Sequence, residues 1–351
     1  MADNKGVSAP SVMHPVASDD WLSKTKEVIL EPDLAIVDPH HHLWGAPRPQ
    51  YLLEEMYADA NSGHNIQATI FADCTEQYRS SGPEHMRPLG ETEFARNIAE
   101  QGASGNFGKT KYCAGIISYA DLRAGAAVRE VLEGHISVGK GLFKGIRQST
   151  SWDADSALRT TARTPPARLL YDPVLREGFA ELAPLGLTFD SWVYHHQLND
   201  VYDLARDFPE TTIVLDHVGG PLGIGPYAGK RDEVFAIWSE GIKKLALNPN
   251  VYVKLGGLGM RVSGFGFHEM EAAPTSEYMA KVWRPYIETC IEAFGTDRAM
   301  FESNFPVDKI SCSYATLWNA FKRLAAGCTA DQKADLFSRT AAKVYSLDLA
   351  S

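Results

Sequence analysis

The sequence predicts an α/β protein built as a single (β/α)8 TIM barrel, with an N-terminal arm and long loops after its strands. Eight short apolar or β-branched runs recur along the chain, and stretches with helical periodicity separate them. Alternation of this count is typical of a closed parallel barrel, and 351 residues fall within the size range of one such barrel. We therefore expect an arm at 1–34 and one barrel domain at 35–351.

Each predicted element is a short segment with a clear pattern. The predicted strands are 35–42, 68–73, 114–119, 142–147, 187–193, 212–215, 251–255 and 299–303. The predicted helices are 92–102, 122–133, 173–182, 198–207, 234–247, 277–294, 314–326 and 331–345. In the fifth helix Phe235, Trp238, Ile242 and Leu245 recur at three-to-four spacing, which predicts a face buried in the core.

The loops are of two lengths, and this difference indicates where the site lies. The connections that follow strands are long, whereas those that precede strands are short. The long ones are 45–67, 148–172, 219–232 and 256–276, and the short ones include 208–211 and 248–250. Because active sites of such barrels lie at the carboxyl ends of the strands, we expect the long loops to surround the site.

Composition excludes several classes of protein. The net charge is −10 and basic clusters such as Lys243-Lys244 are short, so nucleic acid is not an expected partner. No long apolar span is present, and residues 1–22 lack a continuous hydrophobic segment, so we expect neither a signal peptide nor a membrane anchor. Five scattered cysteines without a close pair favour reduced thiols in the cytoplasm. We expect a small-molecule substrate, and a homodimer is compatible with the sequence.

The segment 38–44, Asp-Pro-His-His-His-Leu-Trp, is the strongest chemical signal. It follows the apolar run 34–37, and alternation in a strand sends His40 and His42 to one face and His41 to the other. Two such imidazoles bind a divalent metal or polarise a carbonyl substrate. A histidine-rich surface tract is the alternative. Asp38 is a candidate partner behind these rings.

Two further histidines follow predicted strands. His217 ends the sixth strand and precedes two glycines that allow a tight turn beside a ligand, so it is a third candidate ligand. Its alternative role is to cap the strand through a backbone hydrogen bond. After the fifth strand, alternation allows only one of His195 and His196 to face the barrel, and we favour His195. A boundary shift of one residue would exchange the two.

Two basic residues lie in strands that are otherwise largely apolar. Arg147 at the end of the fourth strand has a rigid guanidinium suited to a substrate carboxylate if it faces inward, and Lys144 would then face outward. Lys254 in the seventh strand must meet a carboxylate, because an unpaired buried lysine is costly. That carboxylate belongs to the substrate or to the protein, with Glu302 as the structural alternative.

These segments together resemble the amidohydrolase superfamily. The resemblance lies in the H-x-H strand at 38–44, the segment 194–198, Leu215-Asp216-His217 with Pro221, the strand 253–255 and the segment 301–306. The order of these segments along the chain is similar to that in the amidohydrolase-related branch of small-molecule lactonases and non-oxidative decarboxylases. The resemblance implies a TIM-barrel hydrolase in which His40 and His42 form the first-strand pair. It also assigns His195 and His217 to the histidine positions of the fifth and sixth strands.

One position departs from the family pattern. The family usually has Ser-Asp-x-Pro after the eighth strand, whereas this chain has Ser303-Asn304-Phe305-Pro306. An amide can coordinate or hydrogen-bond but cannot accept the proton of an attacking water at neutral pH. Glu302, Asp308 and His195 are therefore the candidate bases, unless a metal acidifies the water.

The leading functional hypothesis is hydrolysis of a small lactone that carries a carboxylate or several hydroxyls. His40, His42 and His217, with or without Zn²⁺ or Mn²⁺, would polarise the carbonyl. Arg147 and Lys254 would hold negative charge, and Trp44 and Trp192 would wall the pocket. Metal-dependent decarboxylation of an aromatic or enol acid is the first alternative, a catalytically silent acid-binding barrel the second, and amide or ester hydrolysis the third.

Overall fold

The computed structural model describes residues 17–161 and 163–349. Eight parallel strands form one sheet in sequential order. They are Ala35–His41 (β1), Asn65–Ala72 (β2), Lys111–Ser118 (β3), Phe143–Arg147 (β4), Thr188–Ser191 (β5), Ile213–Leu215 (β6), Val251–Leu255 (β7) and Ala299–Phe301 (β8). The segments that follow β1 and β8 meet through His42 N to Phe305 O at 2.7 Å and Asn304 N to His40 O at 2.9 Å. The sheet is therefore a nearly closed barrel, which confirms the predicted fold class.

Helices surround this barrel. They are Asp19–Ser23 (α1), Leu53–Ala60 (α2), Leu89–Gly102 (α3), Val128–Gly139 (α4), Pro173–Phe179 (α5), Leu198–Asp207 (α6), Arg231–Leu245 (α7), Ser276–Phe294 (α8), Tyr314–Leu324 (α9), Ala330–Ala334 (α10) and Thr340–Val344 (α11). Helix α2 lies inside a connection expected to be loop, because its eight residues are too short for a strong periodic signal. The helix predicted at 331–345 is divided by the π-helical turn Asp335–Arg339. The start of the helix predicted at 122–133 is a 3₁₀ turn interrupted by Gly125, whose φ is +59°.

The interior of the barrel is apolar at the end where the strands begin. Val37, Ile70, Ile117, Val214 and Met300 pack there against Ala341 and Tyr345 of the C-terminal segment. Lys111 and Lys144, near the starts of β3 and β4, donate to the backbone carbonyls of Asp348 and Ser346. The C-terminal segment therefore covers the end of the barrel opposite the long loops, and the polar residues gather at the other end.

Strand β1 carries an irregularity at its functional end. Its pairing with β2 shifts register between Asp38 and His41, a stretch that contains Pro39, which has no backbone N–H. Asp38 accepts hydrogen bonds from the Tyr314 hydroxyl and from the Ser303 backbone, each at 2.9 Å. The expected support of the imidazoles by Asp38 is thus indirect, since it anchors the backbone around them.

The described part of the predicted arm, residues 17–34, lies against the barrel. Trp21 Nε1 donates to Met270 O, and Lys322 Nζ donates to the carbonyls of Leu30 and Glu31. Residues 1–16 of the predicted arm lie outside the described residues, and the division at residue 34 stays a prediction. Among the described residues, no helix is long and apolar enough to cross a bilayer.

Candidate active site

His40 and His42 lie side by side at the end of β1. Their Nε2 atoms are 3.2 Å apart. His42 Nδ1 lies 2.9 Å from the carbonyl oxygen of Ala72, which places the proton on Nδ1 and leaves a lone pair on Nε2. Burial and the charge of Arg147 lower the pKa of His42 well below its usual value, so this ring is neutral. The predicted convergence of the two imidazoles is therefore present.

His40 is the centre of a buried polar cluster. Its Nδ1 lies 3.1 Å from Glu302 Oε2, 3.4 Å from Asp216 Oδ1 and 3.2 Å from Lys254 Nζ. Burial and Lys254 lower the pKa of His40, but Asp216 and Glu302 outweigh them, and the net pKa is raised. Two carboxylates thus contact the Nδ1 side of the His40 ring.

His217 is oriented by the carboxylate of Glu302. His217 Nδ1 donates to Glu302 Oε1 over 2.6 Å, and the His217 backbone N–H donates to the same oxygen over 3.1 Å. Burial would raise the pKa of Glu302, but His217 and His40 outweigh it and lower it to about 2. The imidazole packs against Gly257, where an added Cβ would lie 2.4 Å from the His217 Cβ, so only glycine fits there. This contact and Glu302 fix the ring, and its Nε2 has no hydrogen-bond partner among the described residues.

Lys254 meets protein carboxylates, as its burial requires, but Glu302 is not its ion-pair partner. Its Nζ lies 2.5 Å from Asp190 Oδ2 and 3.1 Å from Asp216 Oδ1, and it is fully buried. Burial lowers its pKa, whereas Asp190 and Asp216 outweigh this and raise it. The role of Lys254 as a substrate ligand stays a prediction. In the structure its ammonium group forms ion pairs with two carboxylates of the protein.

Arg147 faces inward but is already engaged. Its Nε donates to Asp73 Oδ1 over 2.6 Å, and its Nη2 donates to the Asp73 backbone carbonyl. The remaining terminal nitrogen, Nη1, lies 3.1 Å from His40 Nε2. Lys144 is half-buried near the start of β4, where it donates to the Ser346 carbonyl of the segment that covers that end of the barrel. Two of the three nitrogens of Arg147 are thus bound to Asp73, and its predicted role as a carboxylate ligand is untested.

Asn304 is held by Asp308. Its Nδ2 donates to Asp308 Oδ1 over 2.8 Å, and Asp308 Oδ2 accepts from the Gly259 backbone at 2.9 Å. Burial raises the pKa of Asp308 to about 8. The amide oxygen of Asn304 is buried and has no hydrogen-bond partner among the described residues. The pair therefore presents an acceptor, Asn304 Oδ1, while Asp308 contacts the amide rather than a histidine.

The structure does not bring His195 into the histidine cluster. Strand β5 ends at Ser191, two residues earlier than predicted, and His195 begins the 3₁₀ turn His195–Gln197. Its ring packs on Tyr227 with centroids 5.0 Å apart. Trp192, rather than His195, contacts the histidine cluster, since its ring lies 4.8 Å from that of His217.

Trp44 lies on the other side of the cluster. Its ring stacks on that of His42, with centroids 5.9 Å apart and an angle of 19° between the planes. Trp44 and Trp192 therefore flank two of the imidazoles, and their role as walls of a substrate pocket stays a prediction.

A candidate metal-binding group is present, with one change from the expected set. Ligand atoms of His40, Asp216 and His217 lie within 4.8 Å of one another, and His42 is outside this group. The 3.2 Å separation of the His40 and His42 Nε2 atoms nevertheless suits tetrahedral Zn²⁺, whose nitrogen ligands at about 2.0–2.1 Å lie some 3.3 Å apart. Both Asp216 oxygens are buried, with Oδ1 lying 3.1 Å from Lys254 Nζ and Oδ2 lying 3.7 Å from Arg147 Nη1. The paired imidazole nitrogens therefore fit a divalent ion, and Asp216 is a nearby carboxylate that two cations already share.

Sequence reasoning missed three carboxylates. Asp190 and Asp216 form ion pairs with Lys254, and Asp73 forms an ion pair with Arg147. A signal existed for Asp190, since it is an isolated charge within an apolar strand, the pattern that indicated Lys254. Asp216 stands beside His217 in a motif already singled out. Only their burial reveals that they balance the two cations.

Comparison with known proteins places this architecture in a family. The amidohydrolase family, described as "Amidohydrolase", matches residues 37–347. An uncharacterized protein of Sinorhizobium fredii is 35% identical over 89% of this chain and 99% of its own. An L-fucono-1,5-lactonase of Burkholderia ambifaria is 24% identical over 89% of this chain and 96% of its own. A zinc-bound amidohydrolase structure from Burkholderia multivorans has a TM-score of 0.67 at 23% identity, covering 90% of this chain and 100% of that one. The chain therefore belongs to the amidohydrolase family and is an enzyme of the amidohydrolase superfamily.

Proposed function

We propose that this enzyme hydrolyses a small lactone that carries a carboxylate or several hydroxyl groups. The observation that carries the proposal is the convergence of His40, His42 and His217, with Nδ1 of His42 and of His217 each held by an oxygen acceptor. Such fixed imidazoles suit the polarisation of a carbonyl and the movement of a proton. The lactonase relatives support the substrate class.

The β1 side of the site would bind the lactone carbonyl. Arg147 Nη1, which also contacts His40 Nε2, would stabilise the negative charge that develops on the carbonyl oxygen, in a buried site where such interactions are strong. A Zn²⁺ or Mn²⁺ ion held by His40 and His42, near Asp216, would polarise the carbonyl and acidify a water. A reaction without metal would rely on the arginine and imidazole groups alone.

The pair His217 and Glu302 would move the proton. Because Glu302 accepts the Nδ1 proton, His217 Nε2 carries the lone pair that can take a proton from the attacking water. The hydroxide adds to the carbonyl carbon, and the ring C–O bond then breaks. The same Nε2 returns the proton to the departing ring oxygen, which leaves as an alcohol, so one water is consumed and one hydroxy acid forms.

Glu302 and Asp308 would act through their neighbours rather than as direct bases. The low pKa of Glu302, about 2, makes it a weak base but a good partner for an imidazolium. Asp308 orients the Asn304 amide, whose free Oδ1 can accept the second hydrogen of the attacking water. This arrangement supports hydrolysis despite the replacement of the usual aspartate.

The proposal is tested by product analysis on a panel of lactones that includes L-fucono-1,5-lactone. Hydrolysis releases an acid that consumes base in a pH-stat and has the mass of the lactone plus one water. Evolution of CO₂ from aromatic or enol acids, with no ring opening, would replace the proposal by the decarboxylase alternative. Binding of small acids without turnover of any kind would indicate a silent barrel.

Two further expectations belong to this proposal. All five cysteines are free thiols, which supports a cytoplasmic location. A homodimer stays a prediction, to be checked by light scattering on the purified protein.

A further inference from the structure

Two arginines at the mouth of the barrel share one aspartate. Asp73 follows β2, and its Oδ1 accepts from Arg147 Nε at 2.6 Å. Its Oδ2 accepts from Arg163 Nη1 at 3.3 Å. Arg163 belongs to the long loop after β4, so the loop is tied to the site through this carboxylate. The chain of contacts runs from Arg163 through Asp73 and Arg147 to His40 Nε2.

Arg163 is held rigidly by two aromatic residues. Its guanidinium carbon lies 3.5 Å from the centroid of the Tyr119 ring, and its Nη2 donates to the Tyr78 hydroxyl over 2.6 Å. Stacking on an aromatic face fixes the plane of a guanidinium. The side chain is therefore pre-organised, which lowers the entropic cost of binding a ligand.

The two arginines differ in what they can still bind. Arg163 uses two of its five N–H groups, for Asp73 and Tyr78, and the other three have no partner in 17–161 or 163–349. The Arg163 side chain is 35% exposed, whereas that of Arg147 is 10% exposed and bound to Asp73 by two nitrogens. Arg163 can receive an anion from the mouth without losing a protein contact.

The charges are balanced on the Arg147 side of this pair and open on the Arg163 side. Asp73 is shared by both arginines, and Asp216 Oδ2 lies a further 3.7 Å from Arg147 Nη1. Burial together with Asp73 raises the pKa of Glu91 to about 8, so this acid is largely neutral at pH 7. Glu76 is paired with Arg48 at 2.6 Å. Arg163 shares its one ion-pair carboxylate among the described residues with Arg147, so its charge favours a ligand with one negative charge.

We propose that Arg163 binds a carboxylate of the substrate and makes the enzyme select lactones that carry a carboxylate over neutral sugar lactones. The inference rests on the proposed lactonase function and specifies its substrate class. Arg147, which was expected to take this role, instead supports the reacting carbonyl through its contact with His40. The ring to be opened lies at the histidines, and the carboxylate lies toward the loop that follows β4.

The first test compares Arg163→Met with Arg168→Met, an exposed arginine of the same loop. The substrates are neutral D-glucono-1,5-lactone and the carboxylated D-glucaro-1,4-lactone. In Arg163→Met the ratio of kcat/KM for the acidic over the neutral lactone should fall about 10- to 100-fold, the value of a charged hydrogen bond. The fall should lie mainly in KM for the acidic lactone. Arg163→Lys should recover part of the ratio, and Arg168→Met should leave it unchanged.

A binding measurement separates this inference from the proposed reaction. The open-chain dicarboxylate D-glucarate is titrated calorimetrically into the native protein and into Arg163→Met. Weaker binding to the variant supports the carboxylate subsite even if no lactone is hydrolysed, in which case only the lactonase proposal fails. Turnover of both lactones with an unchanged ratio in Arg163→Met overturns the subsite and leaves the lactonase proposal standing. No turnover together with equal or absent glucarate binding overturns both.

Discussion

Glu302 joins His217 to His40, two imidazoles that come from opposite parts of the chain. One carboxylate oxygen accepts the Nδ1 proton of His217 at 2.6 Å, and the other lies 3.1 Å from His40 Nδ1. Glu302 itself follows β8 and is fully buried. A single carboxylate thus sets the orientation of two rings, and the site depends on three separate strand ends meeting in one place.

Replacing Glu302 by Gln should lower kcat about 10- to 100-fold, the usual effect of losing the oxygen that orients a catalytic histidine. The amide can donate to His217 Nδ1, which would move the imidazole proton to Nε2 and remove the lone pair needed by a base. Steady-state kinetics on the hydrolysed lactone give the measurement. Glu288→Gln, at an exposed ion pair on α8, is the control. Equal kcat in both variants would contradict the role of Glu302.

Replacing Asn304 by Asp should destabilise the protein and raise kcat at most modestly. The new carboxylate would lie against Asp308 at the present 2.8 Å contact, so Asp308, whose pKa burial already raises to about 8, would have to stay protonated, and the new buried charge would have no cation within this pair. We expect the free energy of unfolding to fall by about 2 kcal/mol or more in urea titrations. The double variant Asn304→Asp/Asp308→Asn should recover most of the lost free energy of unfolding. A gain in kcat of a hundredfold would show that the native site lacks an effective base.

Replacing Lys254 by Met should be the most destabilising of these changes. It leaves Asp190 and Asp216 buried without their cation, which costs about 3–5 kcal/mol for a broken buried pair. Lys244→Met on the exposed face of α7 is the matched control. Adding Asp190→Asn to Lys254→Met should restore part of the loss. Superimposable urea curves for Lys254→Met and the native protein would refute the assigned ion pairs.

Metal content should depend on His42. We expect the paired Nε2 atoms of His40 and His42 to hold the ion, so His42→Ala should lower bound Zn²⁺ or Mn²⁺ in elemental analysis. His217→Ala should abolish turnover and retain the fold, and a loss of metal in this variant as well would add His217 to the ligands, as its closeness to His40 and Asp216 allows. His85→Ala, at a half-exposed side chain, serves as control. A native protein that contains no metal and keeps full activity in a chelator would contradict the metal site.

Acid should destabilise the fold through buried neutral histidines such as His135. Burial lowers the pKa of His135 to about 4, against 6.5 when exposed, and its ring contacts Thr92 Oγ1 and the Tyr119 carbonyl. Between pH 6.5 and pH 4 the unfolded chain binds a proton that the folded protein does not. The stability that neutral His135 contributes therefore decreases as the pH is lowered through this range, by up to about 1.4 kcal/mol per pH unit. His135→Gln should show a smaller loss over this window than the exposed-site variant His85→Gln, and parallel losses would contradict the low pKa.

The barrel was predictable from local pattern because each strand and most helices carry their own signal. The fold class and the family are confirmed, and the pairing of His40 with His42 follows from alternation within one strand. The individual roles of the site residues stay predictions. Alternation holds only while the strand is regular, and the register shift after Asp38 sends that carboxylate to Tyr314 rather than to the imidazoles.

The end of β5 shows where pattern reasoning fails. Val193 and Tyr194 extend the apolar run, so the strand was expected to continue toward His195. In the structure these two residues are buried in loop packing, and Tyr194 bonds to the carbonyl of Leu158. Apolar residues buried under a loop have the same composition as a strand, so the sequence cannot separate the two cases.

Local patterns in the sequence were enough to predict the eight-stranded barrel and the family, because these depend on periodicity and on motifs within single segments. The pairing of each buried cation with its carboxylate became visible only in the folded barrel. Lys254 was matched to Asp190 and Asp216, and Arg147 to Asp73, by contacts between strands far apart in the chain. Ion pairing inside a barrel is set by distance and burial in three dimensions, and spacing along one strand carries no information about it.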